Sequence, residues 1–226
     1  MAKRLFDILA SVVGLILFGP VILIAAIGVR WSSDGPAFYC PARAGLGGKP
    51  FTLYKLRTMH LGGGSRITAA GDQRVFTWGR ILRKTKVDEL PQLWNILRGD
   101  MSFVGPRPED TEIVATAYGR LGHASLTVRP GLAGVSSLYN YTHGEQLLDA
   151  WGGDTELAYK ERLLPVKLAL EAVYIRRASL AYDIRLVLRT VATLFWMLTG
   201  RTEFPEPPEM GAANELLKVA TSQRAA

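Results

Sequence analysis

The chain has 226 residues, 48% of them hydrophobic, with 27 Lys and Arg against 20 Asp and Glu, a formal net charge of +7. That length suits one domain with a substantial core, and its one cysteine, Cys40, excludes an intrachain disulfide framework and agrees with a reducing compartment. The basic balance suits an anionic leaflet or anionic substrates; no recognised nucleic-acid motif accompanies it, so nucleic acid is not an expected partner.

From Ile8 to Val29 the chain is apolar except for Ser11. As one straight helix this stretch would reach roughly 33 Å, about the hydrocarbon thickness of a bilayer. Gly19-Pro20 sits near its middle, where proline removes a backbone donor and costs roughly 3 kcal/mol. Lys3 and Arg4 flank one end and Arg30, Arg43 and Lys49 the other, so basic residues give no asymmetry that would orient a spanning helix. Both ends therefore read as cytoplasmic, which predicts a re-entrant helix-break-helix hairpin over residues 1–30, broken at Gly19 and Pro20. A proline-kinked spanning helix is the alternative. Arg30-Trp31 follows the apolar run in place of a small-residue cleavage pattern, so a cleaved signal peptide is not expected.

Beyond residue 30, Ala37–Tyr39 and Phe51–Tyr54 read as short strands around the glycine-rich turn Gly45–Gly48. The loop Leu61–Asp72 contains Gly62-Gly63-Gly64, but it lacks the Lys-Ser/Thr ending of a phosphate-binding P-loop and reads as a flexible linker. Helices are expected over Val75–Arg98, Glu109–Gly119 and Glu156–Gly200, and a flexible tail over residues 201–226, where Thr202–Gly211 is rich in Pro and Glu. The fold class is thus α/β, mainly helical: one membrane-attached domain with few short strands. Within Ser179–Gly200, Arg185 and Arg189 share a helical face. The segment reads either as an interfacial helix with Phe195 and Trp196 in the acyl boundary, or as an ordinary core helix. His60, His123 and His143 have no metal-ligand spacing, so zinc is not expected.

The most informative stretch is Lys84–Pro108, KTKVDELPQLWNILRGDMSFVGPRP. Pro91 and the apolar spacing Leu90, Leu93, Trp94, Ile96, Leu97, stopped by Gly99, place a helix start at Asp88-Glu89. A helix start presents unpaired N–H groups and partial positive charge, which favour ionised carboxylates and attract phosphate. Arg80 and Arg83 lie upstream, Arg98 and Arg107 downstream. Thr85-Lys86-Val87-Asp88 also fits a capping box, in which Asp88 merely satisfies the helix end. A carboxylate attacking phosphorus would split an exchange between two anionic substrates into two displacements, with Mg2+ and several Arg or Lys neutralising charge. Neighbouring residues do not share a helix face, so Asp88 and Glu89 are expected to have separate jobs. Pro106 and Pro108 fix the backbone around Arg107, whose planar fork suits phosphate.

These motifs occur in order with Gly35–Gly45, Tyr54–Met59, Gly79–Lys84 and Arg129–Gly134. From about Lys3 to about Thr190 the set resembles the bacterial sugar transferase family of monotopic phosphoglycosyl transferases. The resemblance implies transfer of a sugar 1-phosphate from a nucleotide sugar, expected to be UDP-linked, to polyprenyl (undecaprenyl) phosphate. The products would be a polyprenyl diphospho-sugar and UMP, formed through an aspartyl phosphosugar at the first membrane step of glycoconjugate assembly. It implies an Asp88–Glu89 catalytic dyad, Mg2+ at Asp88, and substrate phosphates on Lys55, Arg83 and Arg107, with Arg57 and Arg129 as further positions. It also implies a catalytic domain over residues 31–200, membrane lipids as partners and a site on the cytoplasmic face of the bacterial inner membrane. A homo-oligomer is left open. Asp183 and Glu171 match acidic positions of the family, where Asp is usual at the latter. Pro41 stands where the family commonly has Gln, and Val135-Ser136-Ser137 where it has Trp-Ala-Gln, which leaves the sugar unnamed. A non-catalytic lipid-binding scaffold of the same fold is the contrasting reading.

Overall fold

The computed structural model describes residues 2–62, 67, 71–144, 146–148 and 153–225. The apolar amino-terminal run folds as one helix, α1 (Ala2–Ser32), which continues through Gly19-Pro20 without a non-helical residue. The expected break is thus absent as a chain interruption, because proline at position 20 removes one N–H yet leaves helical backbone angles available to its neighbours.

Residues on both sides of Pro20 are held by the same body. Before it, Arg4 donates to the carbonyls of Ile96 (2.6 Å) and Leu97 (2.8 Å), Asp7 accepts from Ser102 Oγ (3.1 Å) and Phe103 N (3.0 Å), and Lys3 pairs with Asp183. After it, Ala25, Ala26 and Val29 pack with Leu56, Phe76 and Leu82, and Trp78 Nε1 donates to Ala25 O at 3.2 Å. Between these two anchored legs the apolar side chains stand in the open: Ile16, Leu17, Leu23 and Ile24 are 63–71% exposed. A soluble core would cover side chains of that kind.

The strands come in pairs. β1 (Phe38–Tyr39) runs antiparallel to β4 (Lys55–Leu56), and β2 (Ala42–Ala44) antiparallel to β3 (Pro50–Thr52) around the one-turn 3-10 segment Leu46–Gly48. β5 (Ser102–Val104) runs parallel to β6 (Gly131–Ala133), with Ser102 opposite Gly131 and Val104 opposite Ala133. Two of these elements match the strands read from sequence, and β2 and β4 are their pairing partners. The β5–β6 pair explains two glycines. A Cβ on Gly131 would lie 2.0 Å from Gly105 N, and the approach lets Gly131 N–H reach Pro106 O at 2.7 Å. Gly131→Ala is therefore expected to destabilise the fold by about 3 kcal/mol and to displace Arg107, next in chain to Pro106. Urea denaturation checks the first effect and turnover the second.

Helices α2 (Thr77–Thr85), α3 (Gln92–Arg98), α4 (Thr111–Ala117), α5 (Arg120–Ser125) and α6 (Val135–Tyr139) follow. The short α7 (Thr155–Ala158) passes through a π turn, Tyr159–Leu163, into α8 (Leu164–Arg177), which is buried over most of its length. Leu164, Leu168, Leu170 and Val173 of α8 form the main core with Val104, Ile113 and Leu138. Ala178-Ser179 interrupts the expected long helix, and Ser179 Oγ caps α9 (Leu180–Leu198) by accepting from Tyr182 N.

The carboxyl end of the chain departs from the expected flexible tail. Much of the segment read as a flexible tail is helical, α10 (Met210–Ala225), and Met210 and Ala213 are buried in the main core. Arg189 of α9 is tied within the protein. Both its terminal nitrogens bond Glu209 at 3.0 Å, and Tyr182 OH donates to the same carboxylate, tying α9 to the start of α10. Ile184, Leu188, Val191 and Phe195, at helical spacing on α9, are all exposed. The expected linker Gly62-Gly63-Gly64 lies largely outside the described residues.

Candidate active site

The site forms where α2 hands over to α3. Lys86 ends α2 in the left-handed region (φ 58°), its N–H donating to Arg83 O, and the chain then makes a one-turn 3-10 helix, Val87–Glu89, before Pro91 and α3. The dyad therefore sits in this turn, just ahead of the helix in whose first turn it was expected. Thr85 Oγ1 donates back to Ile81 O and Leu82 O, so the capping-box alternative is not realised.

Asp88 and Glu89 are both buried, and the polar groups that meet them come from three other parts of the chain. Lys55 on β4 places Nζ 2.7 Å from Asp88 Oδ2 and 3.8 Å from Glu89 Oε1. Arg107, just past β5, donates to both Glu89 oxygens, Nη2 to Oε1 at 3.0 Å and Nη1 to Oε2 at 3.5 Å. Tyr141, in the π turn after α6, accepts from Arg107 Nη1 at 3.2 Å and donates to Glu89 Oε2 at 3.4 Å. The Lys86 ammonium lies 3.8 Å from the Tyr141 ring centre. Asp88 Oδ1, buried, has no hydrogen-bond partner among the described residues.

The charges divide the labour that sequence reasoning assigned to separate faces. Burial pushes the Glu89 carboxyl up, but Arg107, Lys55 and Lys86 together outweigh it and hold the group well below the usual carboxylate range. Glu89 raises the Arg107 guanidinium still further against the cost of burial, while burial lowers the Lys86 ammonium and raises the Tyr141 hydroxyl. Glu89 is thus a fixed anion in a clamp.

Behind the clamp stands Glu171 of α8. Its Oε1 accepts from the Arg107 N–H at 3.2 Å and from Ser136 Oγ at 2.7 Å, and Oε2 has no partner among the described residues. Pro106 and Pro108 carry no N–H, so this is the one backbone donor of the Pro-Arg-Pro stretch. Burial pushes the Glu171 carboxyl up to about 7, against Lys167, Ser136 and the Arg107 N–H. The fold thus keeps a proton that the unfolded chain releases near the ordinary carboxylate value. Stability from this group is full at acid pH and falls as pH rises toward 7, by roughly 3 kcal/mol. Glu89 and Glu109, whose carboxyls are depressed, oppose it with stability present above the carboxylate range and lost on acidification. Glu171→Gln is expected to gain stability over the wild type between pH 5 and 8, read as a widening gap in melting temperature.

None of the remaining expected residues bonds Asp88 or Glu89 among the described residues. Arg57 is buried and its guanidinium is taken by Pro36 O (2.7 Å), Ser33 O (2.8 Å) and Ser33 Oγ (2.8 Å), where it fastens the end of α1. Arg129 is on the surface, its Nε donating to Gly99 O at 2.8 Å. Arg83 lies within electrostatic reach of Asp72. Gly19 and Pro20 lie in the exposed middle of α1. Sequence reasoning missed Lys86 and Tyr141. Lys86 carried a signal, being a cation beside two carboxylates; Tyr141 carried none.

A model of the bacterial sugar transferase family matches residues 1–197. The chain belongs to that family. Membership makes it an enzyme that transfers a sugar phosphate. It is 39% identical over 199 residues to a UDP-glucose:undecaprenyl-phosphate glucose-1-phosphate transferase of Caulobacter vibrioides, covering 86% of this chain and 70% of that one. It is 35% identical over 209 residues to a UDP-N-acetylgalactosamine-undecaprenyl-phosphate N-acetylgalactosaminephosphotransferase of Aeromonas hydrophila, covering 88% and 44%. It is 34% identical over 209 residues to the exopolysaccharide production protein ExoY of Rhizobium meliloti, covering 84% of each. The chain thus spans most of the first and third of these relatives and less than half of the second.

Proposed function

We propose that this chain moves a sugar 1-phosphate from a UDP-sugar to undecaprenyl phosphate through a phosphosugar carried on Asp88. The observation that supports this best is the buried Asp88 carboxylate with one oxygen on Lys55 and the other without a partner among the described residues, within electrostatic reach of Lys86. An Asp88 oxygen would bond the phosphorus that bears the sugar, and the bond from that phosphorus to the bridging oxygen would break, releasing UMP. An oxygen of undecaprenyl phosphate would then attack the same phosphorus and free Asp88, leaving the lipid diphospho-sugar. Lys55 orients Asp88, and Glu89 holds Lys55 and Arg107 where negative charge builds on phosphate. Asp88 Oδ1, buried and without a hydrogen-bond partner among the described residues, is a hard oxygen that would hold Mg2+. When bound there, the ion supplies further neutralisation of phosphate charge. Both named transferases use UDP-sugars and undecaprenyl phosphate but differ in sugar, so UDP-sugars as a class are the proposed donors.

The membrane reading rests on α1. From Arg4 to Val29 a straight helix would measure about 38 Å, and both ends are held by the body, Arg4 on the end of α3 and Ala25, Ala26 and Val29 against Leu56, Phe76 and Leu82. A bend at Gly19-Pro20 would send Ile16–Ile24 away from the body into one leaflet. Both legs then return to the cytoplasmic face of the inner membrane, with the exposed apolar face of α9 alongside.

The test uses full-length protein in detergent with labelled UDP-glucose and UDP-N-acetylgalactosamine. UMP release should require undecaprenyl phosphate for repeated turnover, and donor alone should leave one phosphosugar on Asp88 by mass spectrometry. Label on another residue would overturn the assignment.

A further inference from the structure

Lys86 is the one non-glycine residue with positive φ among the described residues, at φ 58° and ψ 15°. A side chain in this region is strained where glycine is not, and such strain persists where the surroundings impose it, commonly at functional sites. The conformation here sets the ammonium on the Tyr141 ring, 3.8 Å from its centre, and Tyr141 is the residue whose hydroxyl joins Arg107 to Glu89.

The other two cations of the site are committed to the dyad: Lys55 to Asp88 and Glu89, Arg107 to Glu89. Lys86 is within electrostatic reach of both carboxylates and makes no salt bridge to either. A ring face attracts an ammonium but accepts none of its three N–H donors. Lys55, Arg107 and Lys86 therefore surround the two carboxylates, and Lys86, whose side chain makes no hydrogen bond among the described residues, stands by the turn whose Asp88 Oδ1 is likewise unpartnered there. A bound phosphate would meet those donors and balance the surplus charge.

We infer that Lys86 is a phosphate-binding residue of this site, held in a strained turn so that its ammonium grips a phosphate oxygen of the substrate while Lys55 and Arg107 hold the dyad. This rests on the phosphoryl-transfer reading above. The phosphate belongs either to the nucleotide sugar or to the polyprenyl acceptor.

The variant Lys86→Met keeps the stem on Tyr141 and removes the charge; Lys86→Gly also removes the φ strain; Lys86→Arg restores a cation. Lys86→Met should raise KM at least tenfold for one substrate with little change in melting temperature, and Lys86→Arg should recover most of it. Phosphosugar formation with donor alone against discharge by undecaprenyl phosphate identifies which phosphate is gripped. Lys86→Gly should bind as poorly as Lys86→Met without being less stable than it. Calorimetry with inorganic diphosphate keeps the test independent of turnover: binding to Lys86→Met should be about tenfold weaker than to the wild type. Unchanged diphosphate affinity together with unchanged KM for both substrates would overturn the inference. A wild type that binds diphosphate through Lys86 but turns over neither sugar would instead count against the functional reading.

Discussion

Asp88→Asn is expected to lower turnover at saturating substrate by about four orders of magnitude, equivalent to about 5.5 kcal/mol of transition-state stabilisation. The amide has the same shape, but its oxygen is neutral and a poor nucleophile, and it removes the anion 2.7 Å from Lys55. Lys55 keeps Glu89 at 3.8 Å, so the turn should stay folded and the melting temperature should change little. The protein-bound phosphosugar should vanish with donor alone. Glu89→Gln should behave differently. It leaves the nucleophile in place but strips Arg107 and Tyr141 of the carboxylate they share, so a labelled intermediate still forms, slowly. Wild-type throughput in Asp88→Asn, measured as UMP release, would end the covalent reading.

The parts of this fold that were legible in the sequence are those set by local chemistry. The apolar run from Ile8 to Val29, the helix after Pro91 and the buried α8 each follow from spacing along a few turns. Asp88, Glu89, Lys55 and Arg107 were singled out through the family resemblance, since locally the acidic pair fits a capping box as well; the structure brings the four side chains together. Arg57 came from the resemblance alone, and the structure puts its guanidinium on the carbonyls of Ser33 and Pro36, contacts that depend on how the chain after α1 folds back on β4 and not on any local pattern. The helix α10 was hidden by the Pro- and Glu-rich stretch before it, and what anchors it is tertiary: Met210 and Ala213 in the core, Glu209 on Arg189. Tyr141 reaches the dyad through a π turn some fifty residues downstream, a placement that no short-range pattern encodes.

Arg107→Lys tests whether position and geometry, rather than charge alone, make the clamp. Arg107 meets both oxygens of Glu89 and the Tyr141 hydroxyl at once, and its own N–H is fixed by Glu171 between two prolines. A planar fork makes those parallel bonds without further ordering, whereas an ammonium on a flexible stem makes one contact at a time. The substitution keeps the positive charge, so donor binding should weaken only a few-fold. What it loses is the alignment of charge with the phosphate as negative charge develops, and kcat should fall by about a hundredfold, equivalent to about 2.7 kcal/mol. Glu89 remains ionised through Lys55 and Lys86, which keeps the stability loss small beside the loss of turnover. Steady-state kinetics with each substrate, set against Arg107→Ala, separates the two contributions: if lysine matched arginine in kcat, the guanidinium would be a simple counter-ion.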